Sequence, residues 1–399
     1  MNTKTGAILL VAGTCIGSGM IALPLVLSPI GIIPSAILMI AIWYIMYYTS
    51  LVNLELNLQA GEGLTLGDLG RKYSGKKAEY LGTICLKLLS YSLLAVFIYG
   101  GSSIIQKLLE TQTNLSFSFN LIVFSYTFVI ITLLLLPIRW IDYCNRLLFI
   151  CLLGVVTVIV LGLTIAIDWK NLPLFNQKSK EISVLASLLP VVFTSFGFQV
   201  IFHTLTNYCN RQVKVLKSAF FWGSLIPAIV YIAWTTVIVT IIYQNDPTFY
   251  GKIISGKAEI GELIHSLSQI SHWQSIQIFI WWISILAIGT SILGVGVGLC
   301  DSLQTKLPIT NGYLRRLVAT LLAIIPSAII VVYIPNAFTT ILGFAGMILA
   351  IIAIILPIYL LLKIKNKSFF YREVKWKSFL ILSIAIGLII VLSELYNMS

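Results

Sequence analysis

The sequence predicts an all-α polytopic membrane protein with about eleven transmembrane helices. Of its 399 residues, 58% are hydrophobic and 10% are charged, and the mean hydropathy is +0.98. A water-soluble protein of this length would need far more polar surface. Apolar runs of about 20 residues, the length that crosses a bilayer, give the spans 7–28, 34–58, 79–106, 119–138, 147–168, 184–207, 218–243, 275–300, 314–334, 337–362 and 378–396.

The first and the sixth of these spans are interrupted where a membrane helix should be regular. The first contains the glycine-rich run from Gly13 to Met20, and the sixth contains the run from Phe193 to Phe198. A broken helix in lipid leaves backbone groups unpaired unless they line a cavity or bind something. In transporters built from inverted repeats, half-helix N-termini take an anionic group and freed carbonyls take a cation. The two breaks, five spans apart, therefore predict a carrier.

The distribution of basic residues predicts the orientation. With the N-terminus in the cytoplasm, 19 of the 26 lysines and arginines fall in inner segments and 6 in outer loops, and Lys87 lies within a span. Because positive charge is concentrated on the cytoplasmic side of membrane proteins, we expect the N-terminus inside and the C-terminus outside. The net charge of +12 thus follows topology and does not indicate a nucleic-acid partner.

An odd number of spans fits two inverted halves of five helices and one added helix. The predicted units are residues 1–168 (helices 1–5), 184–362 (helices 6–10) and 378–396 (helix 11). The long outer segment 244–272 contains apolar residues at helical spacing from Ile260 to Ile270, which predicts an amphipathic helix. That helix could lie at the membrane interface or cover an outer vestibule.

Four segments resemble the hydroxy/aromatic amino acid permease family, in the amino acid–polyamine–organocation superfamily. They are Gly13–Pro24, Leu54–Leu58, Phe193–Phe198 and Ser291–Leu299. The sequence is most similar in character to bacterial tyrosine- and tryptophan-specific permeases. The resemblance implies the leucine-transporter-type fold, a place in the bacterial inner (plasma) membrane, and symport of an aromatic amino acid, tyrosine first or tryptophan, with a cation that is usually a proton.

An amino acid is a zwitterion, so its site must hold a carboxylate and an ammonium group. The amides of Gly17 and Gly19 can face the carboxylate, and carbonyls at both breaks can face the ammonium. Aromatic side chains would wall the pocket, and Gln199 could bond a ring hydroxyl or an indole nitrogen; for Phe198, Tyr91 and Tyr99 ordinary packing is the favoured interpretation. The predicted substrate-binding residues are Thr14, Cys15, Ile16, Gly17, Ser18, Gly19, Phe193, Thr194, Ser195, Phe196, Gly197 and Gln199.

Coupling to a proton requires an ionisable group within the membrane. We assign Glu55, Lys87, His203 and, at the inner edge, Asp301 to the spans, and Glu55 and His203 are the coupling candidates. A structural hydrogen bond to a broken-helix backbone is the favoured interpretation for Glu55, and a hydrogen bond at a helix interface is an equal alternative for His203. Sodium is the alternative. Its predicted ligands are oxygen atoms of Gly13, Ile16, Ala287, Thr290 and Ser291, although threonine and serine in membrane helices commonly bond their own backbone.

Four other functions are the alternatives. The same motifs would serve a passive exchanger, or a carrier for another neutral amino acid. A channel with a filter made of repeated subunits is not indicated. A membrane-embedded enzyme would need a carboxylate cluster or a nucleophile with a base, and we find no such motif, nor a P-loop or other cofactor motif. No cofactor is therefore expected, and the expected partners are an amino acid, a proton or sodium ion, and the lipid bilayer.

Overall fold

The computed structural model describes residues 3–61, 63–113, 116–136, 138–176, 178, 181–270, 274–304, 307–334, 338–364, 374 and 376–398. In these residues the regular structure is helical throughout, with no strand, and the all-α prediction is confirmed. The seventeen α-helices are α1 Thr3–Cys15, α2 Ser18–Leu27, α3 Ile32–Ala60, α4 Leu66–Ser74, α5 Lys76–Thr113, α6 Phe119–Leu135, α7 Ile138–Ala166, α8 Ile182–Ser195, α9 Phe202–Tyr208, α10 Val213–Asn245, α11 Pro247–Ile254, α12 Ile260–Ile270, α13 Gln274–Gln304, α14 Gly312–Tyr333, α15 Phe338–Ala350, α16 Leu356–Lys363 and α17 Lys377–Met398.

Nine helical segments in the described part of the chain are long and apolar enough to cross a membrane, and the broken pair α1–α2 would make ten. A further apolar helix, α6, has 17 residues, which is at the lower limit for a span. Each of the eleven predicted spans therefore corresponds to a helix or helix pair, but the count of eleven stays a prediction. The predicted span 147–168 is extended toward its start, because α7 begins at Ile138.

Hydrogen bonds join two segments that are both predicted to lie on the outer side of the membrane. The N–H groups of Ile32 and Ile33 donate to the carbonyls of Pro173 and Leu174, at 3.0 and 3.1 Å. Gly31, with φ +87, permits this approach because a side chain there would lie 2.8 Å from the Leu174 carbonyl. The start of α3 and the segment after α7, both predicted to be outside, therefore lie against each other.

The opposite end is tied in the same way. Arg316, near the start of α14, donates to the carbonyls of Leu134 and Leu136 at the end of α6, and Lys72 of α4 donates to the Ala60 carbonyl. These are predicted inner segments. The division into two inverted halves and an added helix remains a prediction, supported by breaks in the first and sixth spans.

Candidate functional site

The first span breaks at Ile16 and Gly17. Helix α1 ends at Cys15 and α2 begins at Ser18, and the two halves are bent by 48°. No side chain caps the start of α2. The first amides of a helix have no partner within it, so the N-terminus of α2 presents donors at the centre of the bundle.

The sixth span breaks at residues 196–198, between α8 and a short 3₁₀ turn at Gln199–Ile201. The N–H of Gly197 donates to the Thr194 carbonyl at 2.9 Å, and the N–H of Phe198 donates to the Gln199 side-chain oxygen at 3.0 Å. Because the backbone leaves the helix here, carbonyls at the end of α8 lose their helical partners. Both breaks lie within the segments that the sequence predicted.

The two breaks touch each other and α13. A Cβ at Gly19 would lie 2.5 Å from Cβ and Oγ of Ser195, and one at Gly17 would overlap the Ser291 hydroxyl. The Cys15 thiol donates to the Phe196 carbonyl at 3.7 Å. Glycine is therefore required at positions 17 and 19 for close approach, and the approach joins three spans at one point.

Tyr231 of α10 connects the ends of both broken helices, and sequence reasoning missed it. Its hydroxyl lies 2.6 Å from the carbonyl oxygen of Cys15 and 3.0 Å from that of Ser195. A phenol has one proton to donate, so it can satisfy one of these two carbonyls fully at any moment. Its ring is fully buried and packs edge-on against Phe196, with the centroids 5.4 Å apart.

A small cavity lies where the breaks meet. The space open to the centre of a water-sized sphere is about 30 Å³, which is room for about two water molecules. An aromatic amino acid does not fit in it, so binding would require the helices around it to move apart. The cavity is lined by Thr14, Cys15, Gly17, Gly19, Leu89, Leu93, Phe97, Thr194, Ser195, Gly197, Gln199, Val200, Ser291, Val295, Leu342 and Leu349.

Eight of the predicted substrate-binding residues line this cavity, from both breaks. Ile16, Phe193 and Phe196 are fully buried and do not line it; the side chain of Ser18 lies outside the described residues. Phe198, for which packing was the favoured interpretation, stacks on Phe202 with the centroids 5.7 Å apart. The residues that line the cavity are Thr14, Cys15, Gly17, Gly19, Thr194, Ser195, Gly197 and Gln199.

One face of α5 forms the apolar wall, which the sequence analysis did not identify. Leu89, Leu93 and Phe97 recur every four residues and point into the cavity. Tyr91 points away, and its hydroxyl donates to the Leu322 carbonyl at 3.0 Å. Tyr99 packs against Phe119 with the centroids 5.3 Å apart. The spacing of four was the available signal, but α5 is apolar on most of its surface.

Gln199 stands between this central cavity and a second one toward the predicted inner side. The second cavity gives a water-sized sphere about 20 Å³ and shares Gln199 and Val200 with the first. Asn53 and Asn57 of α3 line it. The Gln199 amide nitrogen donates to the Met46 sulfur at 3.7 Å, so its side chain is held by the protein in this conformation.

The predicted coupling residues lie in different places. Glu55 is fully buried in α3, and the Gln59 amide donates to its carboxylate at 2.8 Å. His203 belongs to α9, but its side chain lies outside the described residues. The hydroxyls of Thr290 and Ser291 both donate to the Ala287 carbonyl, at 3.1 and 3.0 Å.

The predicted sodium ligands lie in the first span and in α13. Ser291 lies against Gly17, whereas Gly13 packs against the ring of Phe149 of α7, 3.4 Å from its would-be Cβ. Within the described residues, no group of three or more histidine, cysteine or acidic side chains could hold a metal ion. The oxygen atoms of Gly13, Ile16, Ala287, Thr290 and Ser291 remain the predicted sodium ligands.

A further ionisable side chain, Glu394, lies within the predicted spans and was not identified from the sequence. Glu394 of α17 falls inside the predicted span 378–396 and is buried, with 3% of its surface exposed. Glu394 lies close to the end of its helix, where an acidic residue is expected to face solvent. Its burial was therefore not predicted from the sequence.

Two short helices, α11 and α12, lie in the segment predicted to be on the outer side. In α12 the apolar residues Ile260, Leu263, Ile264 and Leu267 are buried, and the helix packs against α2, α5, α10 and α13. The predicted amphipathic helix is confirmed. It packs on the protein, in contact with the outer half of the broken first span, and its role as a cover remains a prediction.

Polar contacts hold these outer helices together. Asp246 begins α11 and accepts from the Phe249 N–H at 3.0 Å and from the Ser266 hydroxyl at 2.7 Å. Burial acts to raise the pKa of Asp246 and is the largest single influence, but the hydrogen bonds from Phe249, Ser266 and Thr248 and the charge of Lys252 together lower it. The Asp246 carboxylate therefore stays ionised where α10, α11 and α12 meet.

Two broken helices that meet around a cavity inside a bundle of membrane-length helices define a membrane transport protein. Comparison with known proteins gives the family. The tryptophan/tyrosine permease family matches residues 1–394, and the chain belongs to this family.

Similar proteins cover nearly the whole chain. Tyrosine-specific transport system 1 of Haemophilus influenzae is 31% identical over 370 residues, which are 92% of this chain and 89% of that protein. Tyrosine-specific transport system 2 of the same organism is 28% identical over 397 residues, 98% and 96% of the two chains. Glutamine transporter 2 of Aliivibrio fischeri is 26% identical over 370 residues, 92% and 91% of the two chains.

These matches confirm the predicted resemblance. The protein is a multi-pass bacterial membrane permease of a transport family, not an enzyme.

Proposed function

We propose that this protein imports an aromatic amino acid, tyrosine first or tryptophan, by proton symport with alternating access. The observation that carries the proposal is the meeting of the two broken helices around one cavity. That arrangement offers opposite partial charges to a zwitterion at a single point. The two relatives from Haemophilus influenzae described above are named for tyrosine, and these names support the aromatic preference.

The amides at the start of α2 would take the substrate carboxylate. The ammonium group would lie at the carbonyls of Cys15 and Ser195, which share one phenolic proton from Tyr231. A charged donor at these carbonyls forms stronger hydrogen bonds than a neutral hydroxyl. The substrate would thus replace or complete the bond that Tyr231 makes.

The aromatic ring would lie on the face of α5 formed by Leu89, Leu93 and Phe97, where apolar surface is available. Gln199 is the polar group within the same cavity that could bond a ring hydroxyl or an indole nitrogen. Because the cavity has room for about two waters, it must widen before an aromatic amino acid can bind. Widening on one side and closure on the other is the motion of alternating access.

Glu55 of α3 and His203 of α9 remain our proton-coupling candidates. We further propose that the protein lies in the bacterial inner membrane with the N-terminus in the cytoplasm and the C-terminus outside. Reporter fusions to the two termini test this orientation. An active cytoplasmic reporter at the C-terminus would contradict it.

A second candidate is a sodium-coupled symporter, or an exchanger, of another neutral amino acid. The observation in its favour is that Ser291 lies directly against the break at Gly17, and the glutamine transporter among the relatives shows that such a substrate occurs in similar proteins.

Counterflow into proteoliposomes, which needs no ion gradient, tests the substrate. We expect labelled tyrosine to exchange, with competition by tryptophan and phenylalanine and little by glutamine. Competition by glutamine that matches or exceeds that of the aromatic amino acids would favour the second candidate.

A further inference from the structure

Glu394 is a buried carboxyl group that the transport mechanism above does not use. It lies in α17, the predicted added helix, four residues before the helix ends at Met398, and 3% of its surface is exposed. Ionisable side chains buried inside a membrane protein are costly in the charged form, so they are rare and commonly functional. Its surroundings therefore matter.

The carboxyl group lies between two other helices. The side-chain amide of Asn397 donates to it at 3.3 Å and also donates to the carbonyl of Ala186 in α8, at 3.1 Å. On the other side, Gly343 of α15 has no side chain, and a Cβ there would lie 2.6 Å from the nearer carboxyl oxygen. One carboxyl group thus contacts α15 directly and α8 through Asn397.

Cationic groups do not surround Glu394 in the described part of the chain. The elements with the most extensive packing against α17 are α8, α15 and the π-helical turn Ile351–Ile355, and none of them contains an ionisable side chain. At the other end of α17, Phe379 packs against Tyr44 and Tyr48 of α3. Glu181 precedes α8 by one residue, and the Tyr396 side chain on α17 is exposed. A carboxyl group in such surroundings loses its charge readily by binding a proton.

The helices that hold Glu394 also hold the transport site. The residue before Gly343, Leu342, accepts a hydrogen bond at its carbonyl from the Thr194 hydroxyl, at 3.0 Å. Thr194 is the next-to-last residue of α8 before the break. Close packing of α15 on α8 continues at Gly346, where a side chain would overlap the Pro190 carbonyl.

We propose that Glu394 is a proton-binding site of the transport cycle, where the carboxylate takes up the coupling proton in place of Glu55 or His203 and, as the neutral acid, changes how α17 packs on α8 and α15. The step is a simple protonation, in which the proton comes from water on one side and returns to water after the conformational change. This inference rests on the proposed proton symport. The proposal gives α17, which lies outside the two predicted inverted halves, a role in proton coupling.

Glu394→Gln keeps the shape of the side chain and removes its ability to exchange a proton. We would measure two activities of the full chain in proteoliposomes with labelled tyrosine: counterflow, and accumulation driven by an inward proton gradient. We expect counterflow to persist and accumulation to fall to the passive equilibrium ratio. Proton-driven accumulation by Glu394→Gln that equals the wild-type level would overturn the assignment.

The matched control is Glu262→Gln, which neutralises a carboxylate of the outer helix α12 that is paired with Lys252 at 2.9 Å. Accumulation should survive in this variant. The wild-type protein separates the two proposals: if it accumulates tyrosine with a proton gradient and Glu394→Gln does also, the Glu394 assignment alone fails. If the wild-type protein shows no proton-driven accumulation, the proposed symport fails and the assignment fails with it.

Asn397→Leu provides a second test if Glu394→Gln does not fold. Loss of the Asn397 amide removes a donor that stabilises the Glu394 carboxylate. Glu394 should therefore bind its proton at a higher pH, and the midpoint of the pH profile of uptake should shift upward. A purely structural role would lower the rate without moving this midpoint. An unchanged midpoint would therefore count against the proton site.

Discussion

Gly19→Ala tests whether transport depends on the contact between the two broken helices. A Cβ at position 19 would lie 2.5 Å from Cβ and Oγ of Ser195 and 2.9 Å from its Cα. Carbon atoms in contact prefer a separation of about 3.5–4.0 Å. The Ser195 backbone cannot rotate away as a flexible side chain could, so the ends of α2 and α8 must separate by about 1 Å to reach that separation.

This displacement has a calculable cost. Inserting a methyl group into a well-packed interior typically costs about 1–3 kcal/mol. If the substrate-binding arrangement carries that cost, kcat/KM for uptake falls by about fivefold to about 140-fold, since each 1.4 kcal/mol corresponds to about a factor of ten. The decrease should appear without loss of membrane insertion.

Initial rates of tyrosine uptake at matched protein levels measure this effect. The control is Gly154→Ala in α7, where an added Cβ meets nothing within 4 Å. Gly154→Ala should transport normally. A Gly19→Ala variant with wild-type kcat/KM would refute the conclusion that the contact between the breaks forms the site.

Three further predictions concern other parts of the structure. Tyr231→Phe should lower the free energy of unfolding by about 1–2 kcal/mol, because two buried carbonyls lose their donor; an unchanged thermal midpoint in detergent would contradict this. Phe97→Ala should raise KM for tyrosine by about tenfold, through a lost ring contact worth about 1.5 kcal/mol, whereas Tyr99→Phe should not; equal effects in uptake assays would argue against the α5 wall. Burial, and then the charge of Lys107, lower the pKa of His265 from 6.5, with partial opposition from Glu110. The stabilisation from neutral His265 is therefore present above pH 6.5 and lost as the pH falls below it, so the protection factors of the α12 amides, corrected for the intrinsic exchange rate at each pH, should fall on acidification; protection factors that do not change with pH would contradict this.

The broken helices could be predicted because their signals are local. Gly17 and Gly19 weaken a helix wherever they stand in an apolar run, and the run from Thr194 to Gly197 combines the same weakness with a nearby proline. The structure interrupts both helices within these segments. Local backbone preference and membrane length therefore account for much of the fold.

Contacts between distant segments could not be predicted in the same way. Tyr231 lies 216 positions from Cys15, and no pattern in a single sequence identifies that pair. Leu89 and Phe97 share one face of α5, but a helix that is apolar on most sides does not show which face meets the cavity. Glu394 was within reach of the rule for buried ionisable groups, but its place near a helix end made it resemble a surface residue.

Uptake of labelled tyrosine into proteoliposomes under an imposed proton gradient or an imposed sodium gradient tests the central claim most directly. We predict accumulation with the proton gradient alone. Accumulation with the sodium gradient alone would contradict proton symport and would direct attention to Ser291 beside the break at Gly17. An absence of tyrosine uptake under both gradients would contradict the proposed substrate.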